Sequence, residues 1–205
     1  MEPLISVKGI VVPLLRDNVD TDSIIPAEFM RSLSTDPGRG LFARWRYRAD
    51  GSENPDFVLN DPRYRGATIL LAGANFACGS SRENAVWALQ RFGVRCVIAL
   101  GFSDIFYANC FKNGVLPVQL PASAHALVVD EALGEEASEA TVDLRTQEIE
   151  LASGRRIGFD LDARRRAKLL SGEDEIAATL NRWATIDSFR AGHAQRAPWL
   201  YLKRR

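Results

Sequence analysis

Residues 67–100 read ATILLAGANFACGSSRENAVWALQRFGVRCVIAL, and this stretch decides the fold. It opens with the short apolar run Ala67–Ala72, passes through small residues from Gly73 to Ser81, and then changes period. Ala85, Ala88, Leu89 and Phe92 line one face of a helix that stops at Gly93, and Arg95–Leu100 returns to continuous apolar character. An apolar strand, a helix of period 3.6 and a second apolar strand form a βαβ unit, the signature of parallel strands buried on both faces.

The unit continues outward in both directions. Downstream, Ser103–Asn113 reads as a second helix closed by Gly114, and Val115–Leu120 as a third strand. Upstream, Ile5–Leu15 is rich in β-branched residues and runs into the polar Arg16-Asp17-Asn18, a strand leading to a turn. The expected class is therefore α/β with parallel strands. From about Arg31 to Asp61 the composition of Gly, Pro, Asp and Arg with scattered aromatics predicts a long loop, and loops of that length are usually functional. After Pro121 the periodicity weakens. Thr141–Leu144 and Glu148–Leu151 alternate as a hairpin around Thr146-Gln147, and Arg156–Phe159 adds a strand. Asp162–Ser171 and Asp174–Ala191 read as two helices broken at Gly172. We expect one domain over 1–205, with a core over about 1–160 and a helical C-terminal end over about 161–195.

The bulk composition narrows the function. The chain has 205 residues, 46% hydrophobic and 25% charged, enough to bury a sizeable core. Lys plus Arg and Asp plus Glu both number 26, so no net field draws the molecule onto nucleic acid or anionic lipid. No signal-peptide pattern and no apolar run long enough to span a bilayer is visible, which makes a cytoplasmic location the expectation and excludes a membrane partner. Cys78, Cys96 and Cys110 are odd in number and widely spaced, which predicts reduced thiols. They lack the close thiolate spacing of a zinc or iron–sulfur site, so this chain is expected to bind no metal itself.

The chemistry-bearing candidate is Asn75-Phe76-Ala77-Cys78-Gly79-Ser80-Ser81-Arg82-Glu83-Asn84, a small-residue turn between strand and helix. In open α/β sheets ligands bind at the carboxyl ends of strands, where helix N-termini present free N–H groups to anions. Ser80 and Glu83 have capping-box spacing, which places Ser80 or Ser81 at the helix start. Arg82 adds a cation with fork geometry for a carboxylate. Taken on spacing alone, a well-capped helix with a surface arginine is the commoner meaning of such a segment. The lysine of a phosphate-binding loop is missing, the segment is not G-x-S-x-G, and His125 and His193 lie too far from any pattern to form a catalytic couple. The acidic Asp17–Asp22 either orients Arg82 or caps turns, and ordinary Asp and Asn usage favours the turns.

Several segments together carry a resemblance: Asp17-Asn18-Val19-Asp20-Thr21-Asp22 with Ile24-Ile25-Pro26, Asp56-Phe57-Val58-Leu59-Asn60, Asn75-Phe76 with Gly79-Ser80-Ser81-Arg82-Glu83, Phe102-Ser103-Asp104-Ile105-Phe106-Tyr107 and Gly172-Glu173-Asp174-Glu175-Ile176. In this order, over nearly the whole chain, they resemble the small subunits of isopropylmalate dehydratase in the aconitase superfamily. The resemblance implies a swivelling β/β/α domain of the aconitase type that closes over a four-iron four-sulfur (4Fe-4S) cluster held by a separate large subunit. It implies hydro-lyase chemistry on a small hydroxy-dicarboxylate. Ser80 would be the alkoxide base, Ser81 and Arg82 would hold substrate carboxylate, and the chain alone would be inactive.

Three departures matter. Asn84 stands where family members commonly carry His, which removes a titrating group. Ala77 replaces a common glycine, which predicts that left-handed geometry is disfavoured there. The loop after Phe29 reads Ser34-Thr35-Asp36-Pro37-Gly38 where the resemblance implies Thr-Arg-Thr-Gly-Phe, so Thr35 takes the place of an arginine and Asp36 adds charge. Arg31 or Arg39 then become the candidate replacements. These changes keep isopropylmalate as first choice, a related acid such as citramalate as the next, and a non-catalytic binding protein on the same fold as the third.

Overall fold

The computed structural model describes residues 1–30, 36–134 and 136–201. Among the described residues seven strands form one sheet: β1 (Ser6–Leu14), β2 (Ile69–Ala72), β3 (Cys96–Ala99), β4 (Leu116–Gln119), β5 (Glu139–Asp143), β6 (Glu148–Leu151) and β7 (Arg156–Gly158). Their order is β4-β3-β2-β1-β5-β6-β7. The β1–β2, β2–β3 and β3–β4 pairs are parallel and the β1–β5, β5–β6 and β6–β7 pairs are antiparallel. The sequence patterns explain the difference. β2 and β3 are buried at every position, because parallel strands are covered on both faces, whereas β5 and β6 alternate buried with more exposed residues.

Alternation also sorts the core into two layers. Leu70, Ala72, Val97 and Ala99 join one cluster, while Ile69, Leu71, Cys96 and Ile98 join the other. The helices are α1 (Thr21–Ile24), α2 (Pro37–Gly40), α3 (Ala43–Arg46), α4 (Asn84–Phe92), α5 (Asp104–Asn113), α6 (Ala122–Ala132), α7 (Ala163–Ser171), α8 (Glu175–Leu180) and α9 (Trp183–Arg196). Ala85, Val86, Ala88 and Leu89 of α4 cover the first cluster. Val128 and Ala132 of α6 and Leu169 of α7 cover the second, on the opposite face. Among the described residues no helix is long and apolar enough to cross a membrane.

Three expectations need correction. The described part of the segment 31–61 is not wholly irregular: it contains α2, α3 and a 3-10 turn over Val58–Asn60, with turns and bends over 47–57. Aromatic side chains organise it, with buried Phe42 stacked on half-buried Trp45 at 5.6 Å and both within about 6 Å of Phe57. The weak stretch after Pro121 is helix α6, whose pattern is disguised because a histidine, His125, occupies a buried position. The last helix is two helices, broken at Asn181 and Arg182, where the Arg182 N–H turns back to the Thr179 carbonyl at 3.0 Å.

The chain divides into two compact units, Met1–Gly172 and Glu173–Arg205. In the first, α7 starts on Asp162, whose carboxylate accepts from the Arg164 and Arg165 N–H groups, and ends on Gly172 at φ +67°. In the second, α8 is capped by Asp174 through the Ala177 N–H at 2.7 Å. Ile176, Leu180, Trp183 and Phe189 are exposed there.

A Cβ at residue 172 would lie 2.6 Å from the Pro3 nitrogen and 2.7 Å from the Met1 carbonyl oxygen, backbone atoms that cannot yield cheaply. Gly172→Ala therefore combines left-handed strain with a backbone collision. Chemical denaturation should show a loss of about 2 kcal/mol or more, beyond the roughly 1–2 kcal/mol of the conformation alone.

Candidate active site

The carboxyl ends of β1, β2 and β3 lie side by side, and the chain leaving β2 runs between the continuations of its two neighbours. On one side the Asn18 N–H donates to the Ala74 carbonyl (2.9 Å), the Cys78 N–H to Val19 (3.2 Å) and the Thr21 N–H to Cys78 (3.0 Å). On the other side the Phe76 N–H donates to Gly101 (2.9 Å) and the Ser103 N–H to Phe76 (3.1 Å). Short parallel bridges, Asp20 with Cys78 and Phe76 with Phe102, extend the sheet across this end. Beneath it Phe76 is fully buried, edge-on to Phe106 at 5.5 Å. The turn is thus fixed by backbone pairing on two flanks and an aromatic wedge below.

The backbone here is left-handed at Asn75 (φ +52°), Ala77 (φ +58°) and Gly79 (φ +88°). Ala77 thereby overturns the expectation drawn from its side chain. Its carbonyl accepts from the Ser103 hydroxyl at 2.6 Å, and the bridged residues on either side leave it no other conformation. The asparagine is stabilised by its side chain, whose Nδ2 donates to Asn18 Oδ1 at 2.8 Å.

Ser80 and Ser81 follow, both exposed, and then Arg82 and Glu83. The predicted capping box is not formed. Helix α4 begins at Asn84 with Glu83 at the cap position, already in helical geometry and making no side-chain cap bond. The Glu83 carboxylate is drawn away to Asn113 Nδ2 at 2.8 Å, and the Ser80 carbonyl to the Thr21 hydroxyl at 3.1 Å. The N–H groups of residues 80–83 consequently make no hydrogen bond among the described residues. They form a run of open donors beside a helix N-terminus, a setting suited to an anion.

The acidic loop divides between both roles. Asp17 accepts from the Ala74 N–H (2.6 Å) and Asp20 caps α1 through the Ser23 N–H (2.6 Å), as turn chemistry predicts. Asp22 does not cap: its Oδ1 lies 2.5 Å from Arg82 Nη1. Sequence reasoning preferred turn capping for the whole loop and so missed this pairing. The bonding of 19–21 to residues 78 and 80 carries it, because Asp22 and Arg82 follow close beyond those residues. Only Nη1 is engaged, so Nε and Nη2 of Arg82 remain without a protein partner among the described residues. The guanidinium is held in place with donors to spare for a carboxylate.

The structure brings Ser80, Ser81 and Arg82 together on one turn. Arg39 lies elsewhere: the backbone of α2 packs against Arg91 at the far end of α4, roughly 10 Å along the helix from its first residue. Arg31 and Thr35 fall outside the described residues. Asp36 spends its Oδ1 on the Gly38 N–H at 3.0 Å, capping α2. His125 is buried and its Nε2 donates to the Ala72 carbonyl at 2.7 Å, a structural bond at the end of β2. Among the described residues no three His, Cys, Asp or Glu side chains converge as a metal site.

The family model for the aconitase C-terminal domain matches residues 1–123. The chain is 47% identical over 200 residues to the 3-isopropylmalate dehydratase small subunit of Brucella canis, covering 97% of this chain and all of that one. It is 49% identical over 206 residues to the protein of the same name from Cupriavidus necator, covering 98% and 99%. The crystal structure of a 3-isopropylmalate dehydratase from Methanocaldococcus jannaschii superimposes with a TM-score of 0.63 at 26% identity, covering 91% of this chain and 99% of that one.

The three cysteines are free thiols. Burial pushes the Cys96 and Cys110 thiols far above the ordinary range, and the thiolate is the reactive form, so both resist alkylation in the folded protein. Half-buried Cys78, at the site, is the accessible one. Iodoacetamide at neutral pH should label Cys78 in the native chain and all three cysteines only after unfolding, as read by peptide mass spectrometry.

Proposed function

The chain belongs to the aconitase C-terminal domain family, among the small subunits of 3-isopropylmalate dehydratase, and we propose that its Ser80–Arg82 turn is the part of the active site that it contributes. It serves as a hydro-lyase subunit of leucine biosynthesis, in the interconversion of 2-isopropylmalate and 3-isopropylmalate by dehydration and rehydration. In our reading Ser80 takes the proton from the substrate C–H, while Ser81 and the free donors of Arg82 hold a substrate carboxylate. The observation that carries this is the geometry of the turn: two exposed hydroxyls, four open N–H groups and a guanidinium fixed by Asp22 lie within three residues of one another.

A serine needs help to act as a base. A helix N-terminus is worth about 0.3–1 kcal/mol and its influence fades within a turn, less than the roughly 1.4 kcal/mol of a tenfold change in proton affinity. Helix α4 begins four residues beyond Ser80, which weakens that contribution further. The remaining stabilisation of the alkoxide comes from Arg82 and the open N–H groups once water is excluded, which requires a large-subunit partner. A four-iron four-sulfur cluster carried by that partner supplies Lewis acidity toward the departing hydroxyl. A large subunit is therefore part of the proposal, and with it a cytoplasmic, two-subunit enzyme acting on a hydroxy-dicarboxylate.

The test is an anaerobic hydration and dehydration assay of the reconstituted two-subunit enzyme, with isopropylmalate beside citramalate. Ser80→Ala should lower kcat by about a hundredfold or more while assembly persists, the range expected for loss of a general base. Turnover undiminished in that variant would overturn the assignment, and a preference for citramalate would replace the substrate. Arg82→Lys keeps the charge and loses the planar fork, so KM should rise about tenfold with a smaller change in kcat.

A further inference from the structure

We infer that Thr21 is a positioning residue for the reaction: its buried side chain fixes the peptide joining Ser80 to Ser81, and so aims the base. The inference rests on the proposal that Ser80 is that base.

Thr21 is 2% exposed, unusual for a polar residue that does not itself face the substrate side of the turn. It presents two donors to one short stretch of chain, its N–H to the Cys78 carbonyl at 3.0 Å and its hydroxyl to the Ser80 carbonyl at 3.1 Å. The Cys78 and Ser80 carbonyls both point at Thr21, so one residue engages both. Gly79 between them takes φ +88°, a left-handed conformation that glycine adopts without strain.

The consequence follows from peptide geometry. The Ser80–Ser81 peptide bond is trans, so the Ser80 carbonyl and the Ser81 N–H lie on opposite edges of one rigid plane. Turning the carbonyl inward onto Thr21 turns the Ser81 N–H the other way and sets ψ at Ser80. Without the hydroxyl this plane has no other partner, because the Ser81 N–H makes no hydrogen bond among the described residues. Asp22, the next residue, then secures Arg82. Thr21 and Asp22 thus fix the base and the carboxylate clamp from a single helical turn, and they do so through different bonds.

The experiment uses the reconstituted two-subunit enzyme with Thr21→Val, which keeps the shape and removes the donor, and Thr21→Ser, which keeps the donor. Thr21→Val should lower kcat by about ten- to a hundredfold, the scale of a misplaced catalytic group, with KM within about twofold. Its deuterium isotope effect on the C–H that loses the proton should increase, since proton removal becomes slower relative to the other steps. Thr21→Ser should return kcat to within about threefold of the parent. A Thr21→Val enzyme that assembles with unchanged kcat and isotope effect overturns the inference, whatever its melting temperature. Should the valine fail to assemble, Thr21→Ala carries the same expectations. Ser80→Ala is measured alongside: if that enzyme still turns over, the reading of Ser80 as base has failed, whereas an inactive Ser80→Ala beside a fully active Thr21→Val sinks only the role of Thr21.

Discussion

The site depends on one constraint: chain leaving a buried parallel strand must find partners for its backbone after the ladder ends. Residues 74–80 solve this by lying between two neighbours that have also just left the sheet. The carbonyls of Ala74, Phe76, Cys78 and Ser80 are each engaged, by Asn18, Ser103 and, for the last two, Thr21. That leaves a stretch that is neither strand nor helix yet is held as firmly as either. A loop fixed only at its ends would leave Ser80 free to sample many geometries, at an entropy of roughly 1–2 kcal/mol per residue.

Such fixation requires unusual dihedrals, and the turn accepts left-handed geometry at Asn75, Ala77 and Gly79. Glycine does this freely. Asparagine offsets part of the strain with a side-chain bond to Asn18, and alanine has only its surroundings. The Ser103 hydroxyl on the Ala77 carbonyl, together with the bridges on either side, over-determines that residue. Strain held in this way by its surroundings is typical of functional turns. Here it brings the chain back out of the core, so that the fully buried Phe76 and the exposed Ser80 stand only four residues apart.

Much of the sheet was legible in the sequence because burial on both faces leaves continuous apolar runs, as in Ile69–Ala72 and Cys96–Ala99, and because Gly93, Gly114 and Gly172 mark helix ends. What escaped has physical reasons. Helix α6 hides a histidine among its buried positions, satisfied by a carbonyl on β2 that no local pattern announces. The short helices of the segment 31–61 are organised by Phe42, Trp45 and Phe57, whose meeting is tertiary. The Ser80–Glu83 spacing is that of a capping box, but the helix starts only at Asn84 and the Glu83 carboxylate is taken by the distant Asn113. The Ser-Ser-Arg turn itself was legible as a candidate. The residues that hold it, Thr21, Asp22 and Ser103, come from segments 59, 60 and 26 residues away, and only register brings them in.

The same bonds bear on why the reaction is divided between two chains. Asp22 holds Arg82 but also partly neutralises it, and Ser80 and Ser81, which carry two of the open N–H groups, are exposed to screening water. In isolation the turn therefore has geometry without potency. In the proposed two-subunit enzyme, closure against the partner would remove the water, and each fixed donor would then act in a medium where it counts for several times more. Rigidity of the turn is what makes this increase usable: a donor that had to reorganise as charge developed would return much of the gain. In the proposed reading the residues behind the turn serve the chemistry through those on it, since preorganisation has to be present before the partner arrives.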